Sequence, residues 1–165
     1  MQISQTQVQL KALSDLQRRC DIEAITLQCC NAVRAKAGTQ FREPFTVKPS
    51  LCNTSWLVQD QRLIVEVSFE YTAWDSSEPQ ERLFLATCTF EVSYTIRDGY
   101  SPTEQEKSSF SRGTGVFNCW PYAREFLRDI TARMGHLAPT LPLLRMIPKR
   151  PPEASPAVAQ MPVES

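Results

Sequence analysis

The strongest constraint on the fold of this chain comes from two long segments in which apolar and polar residues alternate. In LIVEVSFEYT, residues 63–72, the apolar side chains share one face and the polar side chains share the other. The run LFLATCTFEVSYTI, residues 83–96, repeats this pattern from Phe84 onward. A period of two is that of a β-strand with one buried and one solvated face. Since a polar turn separates the two segments, the sequence predicts a long antiparallel hairpin.

Further strand segments precede this hairpin. Residues 22–33 alternate less regularly, but their pattern is closer to a period of two than to the 3.6 of a helix, and we predict a strand there. The next stretch, AKAGTQFREPFTVKPSLCNTS, residues 35–55, is interrupted by Gly38, Pro44 and Pro49. These breakers predict a long crossing loop that leads into a short strand.

The segments after the hairpin have helical spacing. Pro121 is suited to the first position of a helix and Gly135 to its end. Between them the apolar residues recur every three or four positions, at Tyr122, Ala123, Phe126, Leu127, Ile130 and Met134. A shorter helix is predicted to follow Ser101 and Pro102, with Glu104 at the third position of a capping box, and to run through Phe110.

The order of these elements, strands first and helices after, predicts an α+β fold in which helices cover one face of an antiparallel sheet. A length of 165 residues indicates a single domain. We place that domain at residues 1–150, with a peripheral amino-terminal helix within residues 1–20. Residues 151–165 are poor in large hydrophobic side chains and are predicted to form a disordered, proline-rich tail.

Composition excludes several classes of function. The formal net charge is zero, so no basic field favours nucleic acid as a partner. The longest apolar runs are about four residues, far short of the roughly 20 that a membrane helix needs. Because the amino-terminal residues also lack the pattern of a secretory signal, we expect a cytoplasmic protein without membrane insertion.

The sequence also lacks the motifs of a catalytic or metal site. Its six cysteines form no CxxC pair and its single histidine is His136, so neither a zinc site nor another cofactor is expected. The motifs GxSxG, HExxH and GxxxxGK[ST] are absent. An enzyme is therefore unsupported by the sequence.

What the sequence does supply is an excess of apolar residues in segments that prolines and glycines keep irregular. Grooves lined by aromatic and aliphatic side chains are expected between the crossing loop and the helix that follows Pro121, and such grooves suit extended peptides. The residues concerned are Phe41, Phe45, Trp56, Trp74, Phe117, Trp120, Leu137, Leu141, Leu143 and Leu144.

Several of these segments resemble the SecB family of export chaperones. NCWPYAREFLRDITARMG, residues 118–135, and APTLPL, residues 138–143, resemble the aromatic-PYARE helix of the family and the segment behind it. The strand pair also resembles the central strands of the family. The segments DLQRR, PTEQEKSSF and RMGHLAPTLPLLR are closer still to the SecB-like chaperones of toxin–antitoxin systems.

The resemblance implies a four-stranded antiparallel sheet with helices packed on one face, and a homotetramer built as a dimer of dimers. It also implies an ATP-independent holdase that binds unfolded or extended client polypeptides in hydrophobic grooves, without a metal or other cofactor. Transferred to this chain, the candidate peptide-binding residues are Phe41, Phe45, Tyr122, Phe126, Leu137 and Leu141.

Alternatives remain open at this point. The export chaperones meet the SecA motor through an acidic surface, whereas this chain is neutral, so protection of an antitoxin is at least as well supported as docking on SecA. A dedicated binding module for one partner protein would use the same grooves. A small-ligand enzyme would require a polar group such as His136 inside a closed pocket.

Overall fold

The computed structural model describes residues 15–35, 45–75 and 82–135, together with Pro139 and Leu141. Its centre is one antiparallel sheet of four strands in the order β1-β4-β3-β2, which confirms the predicted sheet. The strands are β1 (Cys20–Arg34), β2 (Phe45–Gln59), β3 (Arg62–Asp75) and β4 (Arg82–Ile96). The helical part comprises α1 (Glu104–Phe110), a π-helical turn (Ser111–Gly115) and α2 (Val116–Arg133).

The two alternating segments form the central strands β3 and β4, which pair along their whole length. Their apolar rows are buried under the helices, and every one of the predicted inward-facing positions is in the core. Glu66 and Glu91 lie directly opposite each other on the other face of the sheet, where the Glu66 carboxylate is exposed and accepts a 2.9 Å hydrogen bond from the Ser55 hydroxyl. The described helices thus cover one face of the sheet, as the α+β prediction requires.

β2 corrects the prediction of a crossing loop over residues 45–55. This stretch is paired with β3 from Phe45 to Gln59, and a register shift separates Leu51 from Asn53. Pro49 lacks an amide hydrogen, but an edge strand has one unpaired side on which that hydrogen is not needed. Pro49 therefore lies in an edge strand with a bulge instead of a loop, and the part of the predicted crossing loop at 36–44 lies outside the described residues.

The beginning of α2 is a second correction, because the helix starts at Val116 and contains Pro121 in its interior. The turn before it is also helical, and Gly115 has φ −58° and ψ −50°. A Cβ added at Gly115 would lie 2.8 Å from the Cγ1 atom of Val65. The missing side chain thus lets the backbone approach β3 closely. Burial of Val116, Cys119 and Trp120 stabilises the helical turn that precedes Pro121. At the other end Gly135 has φ +82°, as expected for the residue that ends a helix.

α1 is present, but its cap is Thr103 rather than Ser101. The Thr103 hydroxyl accepts a hydrogen bond from the Glu106 amide at 3.3 Å, and the Thr103 amide donates to the Glu106 carboxylate at 2.7 Å. Tyr100 donates its hydroxyl hydrogen to the same carboxylate. Burial raises the pKa of Glu106, but these hydrogen bonds outweigh it and the pKa lies below its ordinary value of 4.5.

Replacement of Glu106 by glutamine should therefore destabilise the domain in a pH-dependent way. At pH 7 we expect a loss of about 1–2 kcal/mol in the free energy of unfolding. Because the folded-state pKa is lowered, the carboxylate stabilises the fold above pH 4.5 and this contribution disappears as the pH falls through the folded value. Urea denaturation of both proteins from pH 7 to pH 3 should show the difference shrinking toward zero. Glu125→Gln, which alters an exposed ion pair 3.7 Å from Arg128, is the control and should change stability little.

Residues 15–19 form a helical turn before β1, and Leu16 in that turn is fully buried in the core. This helical turn contacts the segment that follows β4, since the Arg19 guanidinium lies 4.7 Å from the centre of the Tyr100 ring. The rest of the predicted amino-terminal helix and the predicted tail at 151–165 lie outside the described residues, and the domain limits remain predictions. No described helix has the length and apolar composition of a membrane span.

Candidate peptide-binding surface

α2 covers only the middle of the sheet. A helix is about 10 Å wide, which matches two strands spaced about 4.8 Å apart but not four. β3 and β4 are accordingly buried on the helix side, whereas most residues of the edge strands β1 and β2 are exposed. Apolar side chains of the edge strands that point to the helix side are left uncovered on both flanks of α2.

One flank, here called the β1 strip, lies between α2 and β1. Leu27 is directly opposite Phe90 in the strand register, and the Phe90 ring lies 6.3 Å from that of Tyr122 on α2. Ile22 is paired with Tyr94 on the same side of the sheet. Leu27, Ile22 and Tyr122 are 44%, 51% and 49% exposed, so the strip is open to a partner. It comprises Ile22, Leu27, Phe90, Tyr122 and Phe126.

The other flank, here called the β2 strip, lies between α2 and β2. Leu51 is directly opposite Phe69, and the Phe69 ring lies 5.8 Å from that of Trp120. Leu51 and Phe117 are about half exposed, while Trp120 is buried. α1 closes one end of this flank, where the Trp56 indole donates a hydrogen bond to Glu104 at 3.3 Å. The β2 strip comprises Phe45, Leu51, Phe69, Phe117 and Trp120.

The structure does not gather the predicted site residues into one cluster. Phe45 lies on β2 with its ring 6.5 Å from Phe84, whereas Tyr122 packs on Phe90, six residues further along β4. Six strand residues span about 20 Å. The two rings are therefore separate contact points, on opposite flanks of α2.

The remaining candidates divide into three groups. Phe126 is half-buried and packs against the core from α2. Leu141 is 6% exposed and belongs to the core cluster, so it offers little surface to a partner. Phe41 and Leu137 lie outside the described residues. Binding of a peptide by any of the six remains a prediction.

Apart from Phe45, sequence reasoning missed the edge-strand members of both strips, Ile22, Leu27 and Leu51. Leu51 was assigned to a loop, and Ile22 and Leu27 were read only as parts of a strand. Two register shifts in β1, between Ile22 and Ala24 and between Leu27 and Cys29, bring both side chains to the helix side. The imperfect alternation of residues 22–33 was the visible sign of these bulges.

The chemistry of the surface is that of apolar contact. Burial raises the pKa of the Cys88 and Cys119 thiols to about 12 each, so both stay protonated and neither is an activated nucleophile. Burial also raises the pKa of Tyr94, whose hydroxyl accepts a 2.9 Å hydrogen bond from Asn118. Among the described residues, no group of three or more potential metal ligands comes together. His136, the candidate of the enzyme hypothesis, lies outside the described part of the chain.

The four-stranded antiparallel sheet with helices on one face matches the fold of a solved SecB-like chaperone, and the resemblance found in the sequence is confirmed. In sequence, the chain is 34% identical over 84 residues to the SecB-like chaperone Rv1957 of Mycobacterium tuberculosis strain H37Rv. The SecB-like chaperone MT2006 of strain CDC 1551 matches equally. Each alignment covers 47% of this chain and 46% of the relative, so the chain spans about half the length of the curated relatives it matches.

The fold comparison extends over more of the chain. A solved structure of the M. tuberculosis Rv1957 SecB-like chaperone, in complex with a ChAD peptide from the Rv1956 HigA1 antitoxin, superposes with a TM-score of 0.72. The match covers 83% of this chain and 99% of that chain at 22% sequence identity, and it therefore shows a shared fold. No protein-family model matches the sequence.

Proposed function

We propose that this protein is an ATP-independent chaperone of the SecB-like type, which holds extended segments of unfolded polypeptides on the β1 and β2 strips. The observation that carries the proposal is the exposure of Leu27 and Leu51 on the helix side of the sheet, beside the aromatic side chains of α2. A soluble domain rarely leaves two such rows uncovered without a partner. Each strip presents apolar side chains that an extended client segment could contact with every second residue.

An antitoxin is the favoured client. The neighbour with the same fold was solved with an antitoxin peptide bound to it, which supports an antitoxin among the clients of this chain. The neutral net charge favours this role over docking on SecA through an acidic surface. The absence of enzymatic activity, the cytoplasmic location and assembly as a dimer of dimers remain predictions, and analytical ultracentrifugation tests the last.

Light scattering of an aggregating client tests the proposal. The purified protein, at equimolar subunit concentration and without ATP, should suppress the aggregation of a chemically unfolded protein. Leu27→Ser should raise the concentration needed for half-suppression about five-fold, because roughly 1 kcal/mol of apolar burial is lost. Unchanged scattering in the presence of the wild-type protein would refute the holdase.

Leu57→Ser is the matched control. Leu57 is also an exposed edge-strand leucine, but it pairs with Ile64 on the face of the sheet away from α2. Suppression by Leu57→Ser should equal that of the wild type. Equal loss in both variants would contradict the assignment of binding to the helix side.

The second candidate, a dedicated module for one partner, uses the same strips. The observation in its favour is that the fold neighbour carries a peptide of one named antitoxin. A panel of unrelated unfolded proteins separates the two functions. A holdase suppresses the aggregation of most of them, whereas a dedicated module acts on its own partner alone.

A further inference from the structure

β1 and β4 carry two cysteines that face each other across the strand pair. The register places Cys30 directly opposite Cys88. Cys30 is exposed, whereas Cys88 is 1% exposed and belongs to the core. All six cysteines of the chain are free thiols in the structure. The pair therefore joins a thiol that solvent reaches to one that solvent does not reach, and neither thiol has a part in the proposed function.

The hydrogen bonds between the two strands define the geometry of this pair. The Ala35 amide donates a 2.9 Å hydrogen bond to the Leu83 carbonyl, so these two residues form a hydrogen-bonded pair. In an antiparallel ladder hydrogen-bonded and non-hydrogen-bonded pairs alternate, and the register between here and Cys30 has no shift. Because an odd number of steps separates residues 35 and 30, Cys30 and Cys88 occupy a non-hydrogen-bonded pair.

Such a pair has the spacing of a disulfide. The Cα atoms of a non-hydrogen-bonded pair are about 4.5 Å apart, and the side chains lie closer together than in the other kind of pair. A disulfide needs Cα atoms roughly 4.4–6.8 Å apart, so a bond between Cys30 and Cys88 requires little movement of the backbone. Burial raises the pKa of Cys88 and the neighbouring Cys30 thiol raises it further, which agrees with this proximity.

The other cysteines are placed differently. Cys29 is also exposed, but it is opposite Thr89 on the face of the sheet away from the helices. Cys119 is fully buried on α2, where an oxidant in solution does not reach it. In the register of the four strands, Cys30 and Cys88 are the two cysteines that lie directly opposite each other.

We propose that Cys30 and Cys88 are a redox site, at which a low-molecular-weight disulfide such as glutathione disulfide oxidises the two thiols to a cross-strand disulfide that links β1 to β4. Cys30 loses its proton to solvent and its thiolate attacks one sulfur of the oxidant, whose S–S bond breaks and releases one thiol. The Cys88 thiolate then attacks the Sγ atom of Cys30, and the second thiol leaves. Two cysteine thiols lose two electrons in total, and one external disulfide is reduced to two thiols.

The second step should depend on pH. Because the thiolate is the nucleophile, the Cys88 pKa of about 12 slows this step at neutral pH, and the proximity of the two sulfurs offsets the low thiolate fraction. That fraction rises about ten-fold per pH unit from pH 7 to pH 9, well below the pKa. Release of glutathione from the mixed disulfide on Cys30, followed by chromatography, should accelerate by the same factor. A rate that did not change with pH would overturn attack by Cys88.

The disulfide should strengthen the attachment of an edge strand. Every residue of β1 is exposed or half-buried, and two register shifts interrupt its pairing with β4. A bond between residues 30 and 88 restricts the unfolded chain, so oxidation should raise the melting temperature by about 6–12 °C. Differential scanning calorimetry of the oxidised and reduced proteins measures this shift. An unchanged melting temperature would overturn the linkage of β1 to β4.

Peptide mapping of the full chain identifies the bond. The reduced protein is incubated with glutathione disulfide, its remaining thiols are blocked with iodoacetamide, and it is digested without reduction. Mass spectrometry should find the peptide of Cys30 joined to that of Cys88, and dithiothreitol should reverse the link. Since Cys29 shares a peptide with Cys30, two variants assign the sulfur: Cys30→Ser should abolish the link and Cys29→Ser, the matched control, should retain it. Cys88→Ala should stop at the mixed disulfide.

The outcomes distinguish this site from other thiol chemistry. A link that survived Cys30→Ser, or one that joined Cys88 to Cys119, would overturn the assignment of the pair. A wild-type protein that only gained glutathione, or that only formed covalent dimers through Cys30, would overturn the internal disulfide. These measurements use the protein without a client, so their result is independent of the proposed holdase function.

Discussion

Replacement of Phe110 by alanine should lower the free energy of unfolding by about 3–5 kcal/mol. Phe110 is the last residue of α1, is 1% exposed and meets the Tyr94 ring edge to face at a centroid distance of 4.9 Å. The change removes a large apolar side chain and an aromatic pair from the junction of α1, the π-helical turn and β4. Urea denaturation at matched protein concentration measures the loss.

Phe117→Ala provides the control, because it removes the same side chain from the surface of α2, where Phe117 is 49% exposed. We expect its stability to fall by less than about 1 kcal/mol, and its client binding to weaken through the β2 strip. Similar losses of stability in the two variants would contradict the described burial of Phe110. A change in stability for one variant and in binding for the other would separate the core from the surface.

The central strands were predictable because their environment is simple. β3 and β4 each have strand neighbours on both sides and one face under the helices, so burial alternates along β3 from Leu63 to Ala73 and along β4 from Phe84 onward. The sequence follows that alternation from Val65 to Thr72, and Ile64 is the one apolar residue of the segment on the opposite face. Local pattern and tertiary environment agree there, and the pattern alone indicates the structure.

β2 was not predictable in the same way. Its helix-side residues are only partly covered, and Pro44 and Pro49 carry the usual signal of a loop. What makes residues 45–55 a strand is pairing with β3, a partner that follows it in the chain and that only the folded sheet supplies. The intrinsic β-propensity of a segment predicts its structure poorly where pairing with a neighbouring strand determines whether the segment is a strand.

The start of α2 illustrates the same limit. Pro121 is well suited to a first helical position, but the structure extends the helix to Val116 because Gly115 fits against Val65. That fit depends on the distance between two elements, which no local pattern encodes. Of the predicted apolar face of α2, Ala123 and Leu127 are fully buried, whereas Tyr122 is 49% exposed.

The apolar character of the candidate surface was predictable from the sequence, but the positions of most of its residues were not. The sequence indicated grooves beside the helix and named Tyr122 and Phe126, which lie on the β1 strip. The exposure of Leu27 and Leu51 follows from the width of a helix relative to four strands, which is a property of the assembled layers.

Leu127→Ala should destabilise the domain by about 2–5 kcal/mol, because Leu127 is fully buried on the side of α2 that faces the sheet. For a chain of this size, each kcal/mol corresponds to about 3 °C in the melting temperature, so a decrease of about 6–15 °C is expected by differential scanning calorimetry. Leu127 belongs to neither strip, yet its packing holds α2 between them. Leu127→Met keeps the side-chain volume and should cost less than about 1.5 kcal/mol. If the two variants melted at the same temperature, the packing of α2 on the central strands would not be what fixes the two strips.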